Sequence, residues 1–159
     1  MNNSGTYAII AFIFGFIIAQ GIKFLIGFFG KDKRGRYQGI KGALKSLGRS
    51  GGMPSGHSSS FSALSIFLGL SEGFSSTSFA ISFAMAVIII YDAVNVRRAV
   101  GEHGKLLNEI AISDGNDKTN PQKLVEGHTI FQAVIGILMG ILIGYLTFLA
   151  YQTVEFAKN

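Results

Sequence analysis

Two of the three histidines stand where an imidazole could work on an anion. His57 lies in Arg49-Ser-Gly-Gly-Met-Pro-Ser-Gly-His-Ser-Ser-Ser60, between a basic, glycine-dotted segment and an apolar run that begins at Phe61. Proline is favoured in the first turn of a helix, where its missing N–H costs nothing, so Pro54 predicts a helix start. The free N–H groups of such a turn and the helix dipole attract an anion, and small residues let it approach the backbone. His57 would add an acid–base group beside that anion. The same composition also describes a solvated loop with a surface histidine. His128 follows Glu126 and Gly127, again at a predicted helix start. Two imidazoles with Lys and Arg nearby suit phosphoryl transfer: one attacks phosphorus while the other protonates the leaving oxygen. Cations and helix N-termini would neutralise the equatorial oxygens. No His/Asp/Glu set shows metal-ligand spacing, so neither metal nor cofactor is expected. With no cysteine in the chain, thiolate chemistry and disulfides are excluded.

The elements that must position these groups are apolar helices. The 159 residues are 48% hydrophobic and only 14% charged, with mean hydropathy +0.41. That balance fits an integral membrane protein, one all-α domain over residues 1–159. Four spans are predicted, at about Thr6–Gly30, Pro54–Leu70, Phe79–Val96 and Thr129–Tyr151. The first is too long for a signal-peptide core and has no basic start, so it reads as a retained helix. Lys23, near its far end, is either a lysine snorkelling to the headgroups or a phosphate contact.

Lys31–Arg49 is strongly basic. Within it Ile40, Ala43, Leu44 and Leu47 fall at helical spacing opposite Lys41 and Lys45, which predicts a short amphipathic interfacial helix. The third span ends in Asp92 and the arginines Arg97 and Arg98, and its helix is expected to continue into water as far as Ile112. Asp114–Asp117 resembles a calcium loop only superficially, because the ligand series and the terminal glutamate are missing. Gly136, Gly140 and Gly144 form a ridge for close packing, within one chain or between two, so a homo-oligomer is a possible partner arrangement.

The two basic loops, Lys31–Arg49 and Arg97–Lys123, belong on the cytoplasmic side, and the Ser71–Ser78 connector, which has no basic residue, outside. The net charge of +5 therefore speaks to topology and anionic lipid before nucleic acid. This arrangement brings Lys23, His57, Asp92, Arg97 and His128 to one face of a multi-pass protein, expected in the cell membrane.

Gly-Gly-Met-Pro-Ser-Gly-His-Ser (51–58), Tyr-Asp-Ala-Val-Asn-Val-Arg-Arg (91–98) and Gly-His-Thr-x-x-x-x-Val-x-Gly (127–136) together resemble the divergent branch of the type-2 phosphatidic acid phosphatases. That superfamily includes the vanadium haloperoxidases. Gln20-Gly-Ile-Lys23 and the segment from Gly101 to Asn108 also fit. The resemblance implies a helical membrane domain that hydrolyses a lipid phosphate or isoprenyl diphosphate without metal, through a phosphohistidine. It makes His57 the general acid and His128 the nucleophile, with Ser55, Gly56, Lys23, Arg97 and, beside them, Arg49 and Arg98 as phosphate-binding candidates. Other members carry an acid four residues after the nucleophile; here Gln132 occupies that place, on the same helix face as His128. Gln132 can orient the ring by accepting a hydrogen bond but cannot stabilise imidazolium by charge. Asp92 or Glu126 is the candidate substitute carboxylate. An arginine six residues before the nucleophile is replaced by Gln122, with Lys123 beside it. The alternative is a non-catalytic protein that binds phosphorylated lipid in the same pocket.

Overall fold

Apolar runs and side-chain caps together set where each helix begins. The computed structural model describes residues 3–32, 35–48, 51–113 and 127–157. Helix α1 runs Ser4–Phe29, an apolar stretch of 26 residues, and ends as the chain turns extended at Gly30. A tight loop follows, closed by the Gln38 N–H donating to the Gly30 carbonyl at 2.8 Å. Helix α2, Gly39–Leu47, then folds back on α1, with Gly42 and Ala43 buried and Ile40, Leu44 and Leu47 exposed. This is the expected amphipathic helix.

Helix α3 spans Gly56–Glu72, α4 spans Thr77–Tyr91, α5 spans Arg97–Ser113 and α6 spans Ile130–Phe156. Ser55, Ser76 and Thr129 cap α3, α4 and α6, each accepting from a backbone N–H three residues on. The expected start of the second span is corrected by this capping. Pro54 lies outside the helix, and Ser55 is the cap rather than a residue within it. Between α4 and α5 the helix does not break but widens into a π-helical turn, Asp92–Val96. The predicted continuation of this helix is present, one residue longer than expected.

Length and composition do not confirm the expected count of four spans. Among the described residues three helical runs are long and apolar enough to cross a membrane: Ser4–Phe29, Thr77–Ile110 and Ile130–Phe156. Their large side chains, such as Ile9 and Ile13, Ile81 and Ile88, and Leu138 and Leu142, lie exposed where a bilayer would cover them. The protein is a helical membrane bundle. At 17 residues α3 is about 26 Å long, against about 30 Å of hydrocarbon. It differs from the others in being the hub, packed against α1, α4 and α6 together. Ser58, Ser59, Ser60, Ser62 and Ser65 are all buried along it.

Those serines are what the glycine ridge meets. A Cβ at Gly136 would stand 2.7 Å from the Ser55 carbonyl oxygen, and one at Gly140 would stand 2.7 Å from Ser62 Cβ. Gly15 of α1 faces α3 in the same way, and a Cβ there would stand 2.8 Å from Ser60 Cα. Backbone-to-backbone contact of this kind takes the place of large side chains in holding membrane helices together. The ridge is therefore filled inside the chain by α3, one of the two arrangements that its spacing allowed. At the end of the bundle opposite the histidines, Ser4 Oγ donates to Glu72 Oε1 at 3.0 Å and Asn3 Nδ2 to Glu155 Oε1 at 3.5 Å. Tyr7, Phe67 and Tyr151 pack ring against ring beneath them.

Candidate functional site

The histidine end of the bundle is built from the end of α1, the start of α3, the π-helical turn and the loop before α6. Lys23 lies in the last two turns of α1 and is only 5% exposed. Snorkelling does not describe it, since its side chain lies inside the bundle. Ser46 Oγ of α2 donates to its carbonyl at 3.0 Å, fixing the backbone there. Among the described residues no carboxylate pairs with this ammonium, yet its charge acts on both His57 and His128.

His57 stands in the first turn of α3 and is exposed, close enough to Arg97, Lys23 and Asp92 to feel all three charges. Ser55 is fully buried, and its hydroxyl accepts both the Ser58 N–H, at 3.3 Å, and the Ser58 hydroxyl, at 2.9 Å. Capping, not an open hydroxyl, is what Ser55 offers. Gly56, buried beside Phe16, leaves the turn uncrowded.

His128 is held by its backbone. Its N–H donates to the Ala93 carbonyl at 2.9 Å, so the π-helical turn docks the loop directly. A π-turn opens the helix by one residue and such turns gather at functional sites. Gly127 lies against the backbone of Arg98, an approach that a Cβ would block. The His128 side chain is 3% exposed, and Nδ1 is sealed from solvent with no partner in hydrogen-bond geometry. The Gly52 carbonyl and the Gln132 side chain are near enough to favour a protonated ring, but neither reaches that geometry at Nδ1. Burial outweighs both and, with the Lys23 charge, pushes the His128 pKa below the ordinary imidazole value.

Gln132 does more than face the ring. Its Oε1 accepts the Thr129 N–H at 3.1 Å while its own N–H donates to Thr129 Oγ1 at 3.3 Å, a capping box. Its carbonyl also accepts the Ser55 N–H at 3.3 Å, tying the two helix starts together. Asp92, the expected substitute carboxylate, pairs with Arg97 at 2.6 Å across the π-turn. Arg98 is exposed and pairs with Glu102 at 3.1 Å. Arg49, Gln122, Lys123, Glu126 and Asp114–Asp117 lie outside the described residues.

A cavity of about 300 Å³ opens beside His128, lined also by Gly52, Arg98, Lys105, Gly127 and Gln132. It leaves His57 and Lys23 out of its lining, so the expected residues divide into two neighbouring groups. Lys105, Gly52 and the Ala93 carbonyl are additions that sequence reasoning passed over. Of these only Gly52 carries a sequence signal, the Gly51-Gly52 pair, and its φ of +94° is a conformation that favours glycine. No group of three or more His, Asp or Glu positioned for a metal occurs among the described residues.

The divergent PAP2 family matches residues 4–143, a range that contains all of these groups. The chain belongs to this family. A relative within reach is the uncharacterized membrane protein YuiD of Bacillus subtilis (strain 168), 36% identical over 107 residues, covering 58% of this chain and 68% of that one. No solved structure matches the chain. Membership in this divergent family makes the protein phosphatase-related, and its relative is likewise a membrane protein.

Proposed function

We propose that the protein hydrolyses a lipid phosphate or isoprenyl diphosphate at the membrane surface. The observation that carries this reading is Lys23, a buried ammonium with no carboxylate partner among the described residues, beside two histidines and Arg97. A buried charge is costly unless paired, so such a pocket favours an anion. With Nδ1 sealed, His128 attacks phosphorus through Nε2, and the bond to the leaving oxygen breaks as His57 gives that oxygen its proton. Water then attacks the phosphohistidine, His57 taking up a proton, and phosphate leaves with His128 restored. Lys23 and Arg97 neutralise the equatorial oxygens, while Asp92 holds Arg97 in place. The site is assigned to the cytoplasmic face of the cell membrane by the basic loops that flank it. The lipid substrate and surrounding membrane lipids are its partners.

The test is phosphate release from a panel of lipid phosphates in detergent without added metal, for wild type, His57→Ala and His128→Ala. Wild type turns over, and each variant falls by about 10²-fold or more, as loss of an acid–base or nucleophilic group implies. A silent wild type overturns the reading.

One observation favours a second reading, a non-catalytic binder of phosphorylated lipid. Gln132 is engaged in its capping box, and among the described residues no carboxylate reaches the His128 ring. Tight vanadate binding without phosphate release selects it.

A further inference from the structure

A second cavity, of about 560 Å³, lies between α4 and α6. Its floor is α3, through Ser62, Ser65 and Ile66, and its walls are apolar. Ser62 and Ser65 on the floor, Ala86 on the α4 wall and Ala133 on the α6 wall are all small and buried, so the groove exists because these positions carry little bulk. It extends from Phe79 on α4 to Asn95 in the π-helical turn, about 24 Å at the α-helical rise, and along α6 from Ile130 to Ile141, about 16 Å. One leaflet is about 15 Å of hydrocarbon, half of a core of about 30 Å. The groove is therefore at least a leaflet deep, and Phe74, Phe79 and Phe83 crowd its far end.

Its near end joins the candidate site on two elements at once. Tyr91 and Asn95 flank Asp92 and the Ala93 carbonyl that holds His128, and Ile130 stands two residues beyond His128. An apolar pocket of this size with polar groups gathered at one end is the form of a small-molecule site. We propose that this groove binds the hydrocarbon chain of a phosphorylated lipid whose headgroup lies at Lys23, His57 and His128. The inference rests on the phosphate reading of that site and adds the chain: the ligand is long-chained, and small residues on the floor set how deeply it seats. Bulk phospholipid and a neighbouring helix are the competing occupants, and neither accounts for the continuity with the histidine end.

The test is photo-cross-linking of the full chain in lipid nanodiscs with a C16 lipid phosphate carrying a mid-chain diazirine, the adducts being mapped by mass spectrometry. A matched neutral diacylglycerol probe runs in parallel. Adducts on α4 and α6 groove residues from the phosphate probe, absent with the neutral one, are the expected result. Val87→Trp and Val134→Trp, at lining positions already exposed, should abolish them. Ile88→Trp and Leu138→Trp, exposed but outside the groove, should leave them intact. Equal labelling by both probes, or labelling spread over the outer face of α1, overturns the inference. Because cross-linking reads binding, a protein that fails to release phosphate still gives an answer: groove adducts with no turnover refute hydrolysis and leave the groove standing.

Discussion

A buried, charge-flanked imidazole has a definite pH behaviour. His128 has a folded pKa below its unfolded value near 6.5, because burial and Lys23 disfavour the charged ring. The folded state therefore holds the neutral ring, and this contribution to stability is present above about 6.5 and lost as pH falls through the lower folded pKa. A nucleophile must be neutral, so the acid limb of phosphate release should lie below 6.5, measured as kcat/KM against pH. Gln132→Glu keeps the capping box, which takes Glu as readily as Gln, and sets a carboxylate beside the ring. It should move that limb to higher pH without loss of thermal stability. An unmoved limb would mean that position 132 acts on the helix start alone.

At the scale of the element, helix starts are what aim the histidines. Thr129→Ala removes one half of the α6 box and should cost about 0.5–2 kcal/mol, read as a lower denaturation temperature in detergent. Gly140→Val pushes bulk into the Ser62 contact and should cost about 1–3 kcal/mol or more by overpacking. The sequence made much of this level legible. Apolar runs located α1, α4 and α6, and amphipathic spacing located α2. Both histidines were found because their neighbours are small or helix-starting residues. The Thr129-x-x-Gln132 spacing is itself a capping signal, and the expectation that Gln132 only orients the ring passed over it. The Ala93 carbonyl was not legible at all, since any residue has one and only the π-turn makes it available. Lys23 was ambiguous for a similar reason: a lysine near a helix end reads the same whether it reaches headgroups or the bundle interior. Only the packing of α2 and α3 around it decides.

For the whole molecule, the three apolar runs among the described residues and the shorter, serine-rich α3 make the bundle, and the sequence places a basic loop after the first run and another after the second. If those loops are cytoplasmic, a cysteine introduced at Ser75 in the α3–α4 connector should react with an impermeant maleimide added to intact cells. Reaction only after lysis would place the histidine end outside. Of the two arrangements that the glycine ridge allowed, packing within the chain is present, because α3 lies on it.

The hub position of α3 also bears on how the chain enters a bilayer. Five buried serines leave this helix with little appetite for lipid, and its hydroxyls are accommodated by glycines that arrive last in synthesis, on α6. Insertion of α3 should therefore wait for its partner. In translation with microsomes, a chain truncated after Ser113 should leave the α3–α4 connector accessible to protease on the side of synthesis, whereas the full chain should protect it. Assembly order, not hydrophobicity alone, would then decide when the two histidines first meet.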